Sequence, residues 1–121
     1  MNSPKTRGRS LAGRVVARAL HLATLKRGWK PLRSGVDIHP LAGIEGGPSV
    51  ALLRYAPGAK VPAHRHGGFE VIYVLEGAQS DERGTYSAGM VVVNPEGGSH
   101  SVRSEDGCVV LIVWERSIEF L

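Results

Sequence analysis

The segment HRHGGFE, residues 64–70, places two histidines and one glutamate within seven residues. Imidazole nitrogens and carboxylate oxygens are ligands that a divalent transition metal accepts, at about 2.0–2.2 Å for zinc. The same residues could instead form an exposed polar turn, which is a common setting for an isolated His-x-His pair. The spacing alone leaves both interpretations open.

The flanking sequence favours a geometry in which the three side chains converge. The segment VPAHRH, residues 61–66, is predicted to be extended because proline biases its neighbour away from helix. Side chains two residues apart on a strand share a face, so His64 and His66 point the same way. The glycine pair that follows permits a tight turn, after which Glu70 can return over that face.

The chain after residue 48 alternates between apolar segments and turns. The segments VALLRY, FEVIYVLEG, MVVVNPEGG and CVVLIVWE are predicted strands, and most of them run into glycine or proline. The 16 glycines among 121 residues suit a domain with many tight turns, and the length is that of one domain. The pattern predicts an all-β sandwich or barrel and not a βαβ fold.

Two of these strands, EVIYVL and CVVLIVW, carry apolar residues on both faces. An antiparallel strand with one wet face should alternate between polar and apolar residues. The second face of the sheet therefore needs a cover, and either an N-terminal helix or a second subunit could supply it. We expect one of these two covers, and a homodimer packed sheet to sheet would provide the latter.

Positive charge is concentrated at the N-terminus. Nine lysines and arginines and no acidic residues precede residue 35, whereas residues 35–121 hold six basic and eleven acidic residues, a net charge of −5. Leu11, Val15 and Ala19 recur with helical spacing, which predicts a helix over residues 10–27. We therefore divide the chain into a basic arm, residues 1–34, and one β domain, residues 35–121.

The basic arm has three interpretations: a contact with nucleic acid or acidic lipid, a targeting segment, or a solvated helix docked on the β domain. No recognition helix or row of stacking aromatics accompanies the charge, so we expect no specific nucleic-acid binding. No run of 18 apolar residues occurs, so we expect no membrane span. The single cysteine, Cys108, excludes an internal disulfide and fits a reducing cytoplasm.

A second motif, GMVVVNPEGGSHS at residues 89–101, ends a strand with proline and glycine and then presents a histidine. With this motif the chain resembles the cupin superfamily, whose two motifs it matches in register. The matching residues are Gly58, His64, His66, Glu70 and Gly77 in the first motif, and Gly89, Pro95, Gly97 and His100 in the second. Ser104 stands where the second motif has an asparagine, which is not a metal ligand in the family.

The resemblance covers roughly residues 48–115 and implies a double-stranded β-helix, the jelly-roll barrel of cupins. It also implies that one divalent metal, which could be zinc, iron, nickel or manganese, is held inside the barrel. The implied ligands are His64, His66, Glu70 and His100.

The stretch from Tyr55 to Cys108 is similar to the cupin domain of ChrR-type anti-sigma factors, a branch that includes small dioxygenases that cleave acetylacetone. This similarity implies a regulatory module that senses a small molecule or an oxidant. The alternative is a non-heme iron dioxygenase acting on a small diketone, and fold alone does not choose between them. ChrR-type proteins carry a helical sigma-binding domain with its own zinc ligands ahead of the cupin. The arm of this chain is short and has no cysteine, so we do not expect it to bind a sigma factor.

Overall fold

The computed structural model describes residues 17–121. In this part of the chain one short helix, α1 (Ala19–Ala23), is followed by ten strands. The strands are β1 (Lys30–Arg33), β2 (Val36–Gly43), β3 (Ser49–Tyr55), β4 (Ala59–His66), β5 (Glu70–Asp81), β6 (Gly84–Ser87), β7 (Val91–Asn94), β8 (Ser99–Ser104), β9 (Cys108–Trp114) and β10 (Ile118–Phe120). The predicted all-β class is confirmed.

The strands form one curled antiparallel sheet with the order β1-β2-β3-β9-β5-β8-β4-β10. β5 is the longest strand at 12 residues and belongs to both halves of the curl. Its first half pairs with β7 and β9, while its last residues pair with β6 and reach β8. The sheet therefore closes around an interior, which agrees with the predicted jelly-roll barrel.

The interior is an apolar core built from alternate residues of neighbouring strands. Ile72 of β5, Ile112 of β9 and Ala51 of β3 lie directly across from one another and are all buried. Val74, Val110 and Leu53 form the next row. Because side chains alternate along a strand, this inward set leaves the residues between them on the outer face.

A second apolar cluster lies on that outer face, around Leu52, Leu75 and Val109. Ala19 and Leu22 of α1 pack against it, together with Trp29. The expectation that a helical segment would cover the second face is therefore confirmed for the part of the sheet around Leu52, Leu75 and Val109. A cover from a second subunit remains a prediction.

The described part of the predicted helix is shorter than expected. Arg18 is extended, with φ −73° and ψ 143°, and the helix ends at Ala23. The Thr24 hydroxyl bonds to the His21 carbonyl, and the indole N–H of Trp29 donates to the Leu25 carbonyl at 2.7 Å, so the chain turns down onto the sheet before residue 27. Residues 10–16 of the predicted helix lie outside the described part. No helix within residues 17–121 is long and apolar enough to cross a bilayer.

Gly77, the last glycine of the first cupin-like motif, lies where β5 passes the start of β9. Its φ of +74° is left-handed, and a Cβ there would collide with the carbonyl oxygen of Gly107. Gly58 has a similar φ of +80° but nothing within 4 Å of the equivalent point. Only glycine fits at Gly77, for steric as well as conformational reasons.

Candidate metal centre

Strands β4 and β8 bring the three motif histidines together. His64 and His66 point inward from β4, and His64 pairs directly with His100 of β8. The β4 register shifts between Val61 and His64, and the two residues between them are both exposed. This irregularity changes the alternation of β4, so that both Val61 and His64 face the interior.

The three imidazoles form a compact buried group. Their ring centroids are 5.2 Å apart for His64 and His66, 4.7 Å for His64 and His100, and 4.7 Å for His66 and His100. One ring nitrogen from each lies within 4.8 Å of the other two, and the residues are 2–5% exposed. Three buried histidines are thus close enough to hold one metal ion.

Hydrogen bonds at the far side of two rings fix which nitrogen faces the group. His64 Nδ1 lies 2.9 Å from the carbonyl oxygen of Pro62, and His100 Nδ1 lies 3.1 Å from Asp81 Oδ2. Both neighbours only accept, so each Nδ1 carries the proton and each Nε2 keeps a free lone pair. Burial lowers the pKa of His64, which favours the neutral ring that a metal requires.

Several polar atoms of this group have no hydrogen-bond partner in the described structure. They are Nδ1 and Nε2 of His66 and Nε2 of His100, and all three are buried. A buried polar atom without a partner is rare and costs about 1–3 kcal/mol, so it calls for an explanation. A divalent cation bound by the Nε2 atoms would satisfy two of the three, and the donor set therefore fits a metal.

Glu70, the fourth predicted ligand, lies beside the histidines but is held by other groups. Its Oε1 is 3.3 Å from His66 Nε2 and 3.8 Å from His100 Nε2. Asn94 Nδ2 donates to Oε1 at 3.0 Å, and Trp114 Nε1 donates to Oε2 at 2.8 Å. Burial alone would raise the pKa of Glu70, but the nearby histidines and the Trp114 indole outweigh burial and lower it. Glu70 is therefore a buried carboxylate facing the imidazoles.

Asp81, at the end of β5, orients His100. Its Oδ1 accepts hydrogen bonds from the Arg83 backbone N–H at 2.8 Å and the Tyr86 hydroxyl at 3.1 Å, while Oδ2 faces His100. Burial raises the pKa of Asp81, but these hydrogen bonds outweigh it and hold the pKa below its usual value. The result is an ionised acceptor fixed behind one imidazole, an arrangement that orients histidine ligands in metal sites.

Sequence reasoning missed three residues that orient the site, namely Asp81, Asn94 and Trp114. Trp114 packs against the interior core and also donates to Glu70. Asp81 lies 19 residues before His100, and only the pairing of Ser80 with Arg103 brings β5 beside β8 there. No local spacing in the sequence signals such a contact.

A cavity of about 740 Å³ adjoins the histidine group. His64, His100 and Glu70 lie in its wall, and most of the remaining wall is apolar. This volume lies within the roughly 300–1,000 Å³ typical of small-molecule sites. A ligand inside the cavity would contact the site directly.

Comparison with models of known protein families assigns the chain to a family. The model of the ChrR cupin-like domain matches residues 17–117. The chain belongs to this cupin family. It is 33% identical over 95 residues to the anti-sigma-E factor ChrR of Cereibacter sphaeroides, a match that covers 76% of this chain and 44% of that protein. The chain thus spans less than half the length of this curated relative.

Solved structures agree with this assignment. The anti-sigma ChrR in complex with SigE, from Rhodobacter sphaeroides, superposes with a TM-score of 0.65 at 28% identity, over 74% of this chain and 49% of that one. An acetylacetone dioxygenase from Acinetobacter johnsonii superposes with a TM-score of 0.76 over 98% of this chain and 85% of that one. Its identity is only 14%, so this second similarity shows the shared cupin fold alone.

Proposed function

We propose that this chain is a metal-binding cupin domain that senses a small molecule or an oxidant and acts in regulation. The observation that carries the proposal is the group of three buried histidines with unpartnered Nε2 atoms on His66 and His100. His64, His66 and His100 would hold one divalent cation, with Glu70 as the fourth ligand. When bound, a metal that accepts five or six ligands would supply Lewis acidity and a further coordination position for a small ligand.

The hydrogen bonds of Glu70 support a single-oxygen contact with the metal. Its Oε1 lies near the imidazoles and receives one hydrogen bond from Asn94, which leaves a lone pair on that oxygen. Its Oε2 is turned toward Trp114. We infer that Glu70 donates through Oε1 alone. Three imidazole nitrogens with one carboxylate oxygen suit zinc, iron, nickel or manganese.

We infer a regulatory role from the similarity to the anti-sigma factor ChrR and from the cavity, whose wall includes His64 and His100. A ligand that entered the cavity could occupy the further coordination position on the metal and change the contacts of the barrel. We do not assign sigma-factor binding to this chain, because the match covers only 44% of the relative.

The second candidate function is a non-heme iron dioxygenase acting on a small diketone. The observation that favours it is the cavity, which has room for a substrate of that size beside three histidines. Burial favours the neutral form of His64, and three neutral imidazoles with Glu70 weakly bound or displaced would leave positions for a bidentate substrate and for oxygen. The two candidates share the three histidine ligands and differ in whether a bound diketone is consumed.

Metal titration with two matched variants tests the shared site. The protein is purified without added metal and titrated with zinc and, anaerobically, with iron(II). We expect one equivalent to bind to the wild type, no tight binding to H100A, and unchanged binding to H21A, in which an exposed histidine outside the site is removed. One tight equivalent in H100A would refute the site.

Oxygen uptake then separates the two functions. The wild type with one equivalent of iron(II) is mixed with acetylacetone in air-saturated buffer, and H100A given the same amount of iron(II) is the control. The regulatory proposal predicts no uptake above that of H100A. Sustained uptake by the wild type alone would establish the dioxygenase instead.

We further propose that the chain forms a homodimer through the outer face of the sheet. Val50, Val113, Val71 and Val93 lie side by side across four strands in one register row. At the edge strand β7 the exposed fractions of Val91 and Val93 are 58% and 64%, and a second copy would cover them. Light scattering should show a dimer for the wild type and a monomer for V93D. A monomeric wild type would contradict this.

A further inference from the structure

Arg33, the last residue of β1, lies in the wall of the cavity. The β1–β2 register shifts between Pro31 and Arg33, so that Arg33 pairs with Val36. Val36 is fully buried in the interior core, and paired residues on neighbouring strands share a face. The shift therefore turns the Arg33 side chain inward, and Arg33 forms part of the cavity wall.

The guanidinium of Arg33 lies over the ring of Phe120, which is itself next to His64. Its Cζ is 4.8 Å from the ring centroid of Phe120, whose ring is in turn 6.0 Å from the ring of His64. The guanidinium also acts on Tyr55, which is buried in the interior. Burial raises the pKa of the Tyr55 phenol, and the charge of Arg33 opposes that rise. Arg33 and Tyr55 both form part of the cavity wall.

Arg33 forms no ion pair within residues 17–121. The arginines that do so there are Arg54, with Asp37, and Arg65, with Glu119, and both of these pairs are on the outside of the barrel. Glu70, the acid in the deep wall of the cavity, is already bonded to Asn94 and Trp114. A half-buried guanidinium without an acid partner favours an anion, and its planar fork matches a carboxylate.

The rest of the wall defines the body of such a ligand. Apart from Arg33 and the histidines, the wall is formed mainly by apolar side chains, including those of Ile38, Leu53, Val61, Ile72 and Ile112. At the rim Lys30 and Glu45 carry opposite charges and are both exposed. Of the two cations in this wall, Arg33 is half-buried and Lys30 is exposed, so Arg33 is the one shielded from solvent.

We propose that the cavity binds a small monocarboxylate with an apolar chain, whose carboxylate pairs with Arg33. The chain lies along the aliphatic wall, and its far end reaches toward His64 and His100. The placement of that far end rests on the proposed metal site, but the contact with Arg33 does not.

Calorimetric titration tests the carboxylate contact. The ligands are butyrate, hexanoate and octanoate, and each acid is compared with its neutral primary amide. In the zinc-loaded wild type we expect at least one acid to bind on the order of 10-fold more tightly than its amide, since a hydrogen bond to a charged group is at stake. R33M, which keeps an unbranched apolar side chain, should lose that preference. R83M, which removes an exposed arginine outside the cavity, should keep it.

Three results would overturn the proposal: equal binding of acid and amide to the wild type, an acid preference that survives in R33M, or no binding across the series. Zinc affinity measured on the same variants separates this proposal from the metal site. R33M should bind zinc as the wild type does. If the wild type bound no zinc, the metal site would fail, while the acid preference of the metal-free protein would still report on Arg33.

Discussion

Replacing Asp81 should weaken metal binding although Asp81 does not reach the metal position. Its carboxylate accepts the Nδ1 proton of His100 at 3.1 Å and so leaves Nε2 free for the metal. Loss of such a supporting contact typically reduces metal affinity about 10- to 100-fold. This corresponds to roughly 1.4–2.7 kcal/mol. We expect D81A to fall within this range for zinc.

The isosteric D81N should be at least as damaging, and the hydrogen bonds around Asp81 show why. The backbone N–H of Arg83 can only donate and lies 2.8 Å from Oδ1, with the Tyr86 hydroxyl beside it. An asparagine oxygen is therefore held at that position, and its amide N–H₂ is turned toward His100. The imidazole must then accept at Nδ1 and carry its proton on Nε2, the nitrogen that faces the metal.

Competition titration against a chromophoric zinc chelator measures this effect. D37N is the control, because it removes an acid of the same charge whose partner, Arg54, is on the outer face. Y86F should have a smaller effect than D81N, since it removes one donor to Asp81 and leaves His100 untouched. Urea unfolding of the metal-free variants shows whether each is folded. Wild-type zinc affinity in folded D81N would refute the tautomer argument.

Three further predictions concern the barrel around the site. W114F should lower the free energy of unfolding of the metal-free protein by about 1–3 kcal/mol, because it leaves Oε2 of the buried Glu70 without its hydrogen-bond donor. An unchanged midpoint of urea unfolding would contradict this. G77A should destabilise the protein more than the matched G58A. Both positions have positive φ, but only a Cβ at position 77 would collide with a backbone atom, the carbonyl oxygen of Gly107. Equal midpoints of urea unfolding for the two variants would contradict the steric explanation. Burial raises the pKa of the Cys108 thiol to about 11, so the thiol should stay protonated and resist a disulfide reagent at pH 8 until the protein unfolds. Fast labelling of the native protein would show that Cys108 is accessible.

The sequence allowed prediction of features that depend on local periodicity. The placement of His64 and His66 on one face follows from the two-residue repeat of a strand, and both side chains are buried side by side. The apolar outer face of β5 and β9 was also visible, because neither strand alternates. His100 was identified only through the cupin motif, since nothing near it in the sequence indicates that β8 pairs with β4.

Features set by long-range register could not be predicted. The irregularity between Val61 and His64 depends on how β4 pairs with β8, and the contact of Asp81 with His100 depends on how β5 meets β8. Local helical periodicity likewise overestimated α1 at its C-terminal end. There Trp29 packs on the outer face of the sheet, and its indole N–H donates a hydrogen bond to the Leu25 carbonyl. This packing overrides the helix propensity of the segment.

A crystal structure of the zinc-loaded protein, with anomalous data on both sides of the zinc absorption edge, tests the central claim most directly. We predict one anomalous peak inside the barrel, about 2.0–2.2 Å from the Nε2 atoms of His64, His66 and His100 and from one oxygen of Glu70. A zinc peak elsewhere, or an interior without a peak in protein that contains one equivalent of zinc, would contradict it.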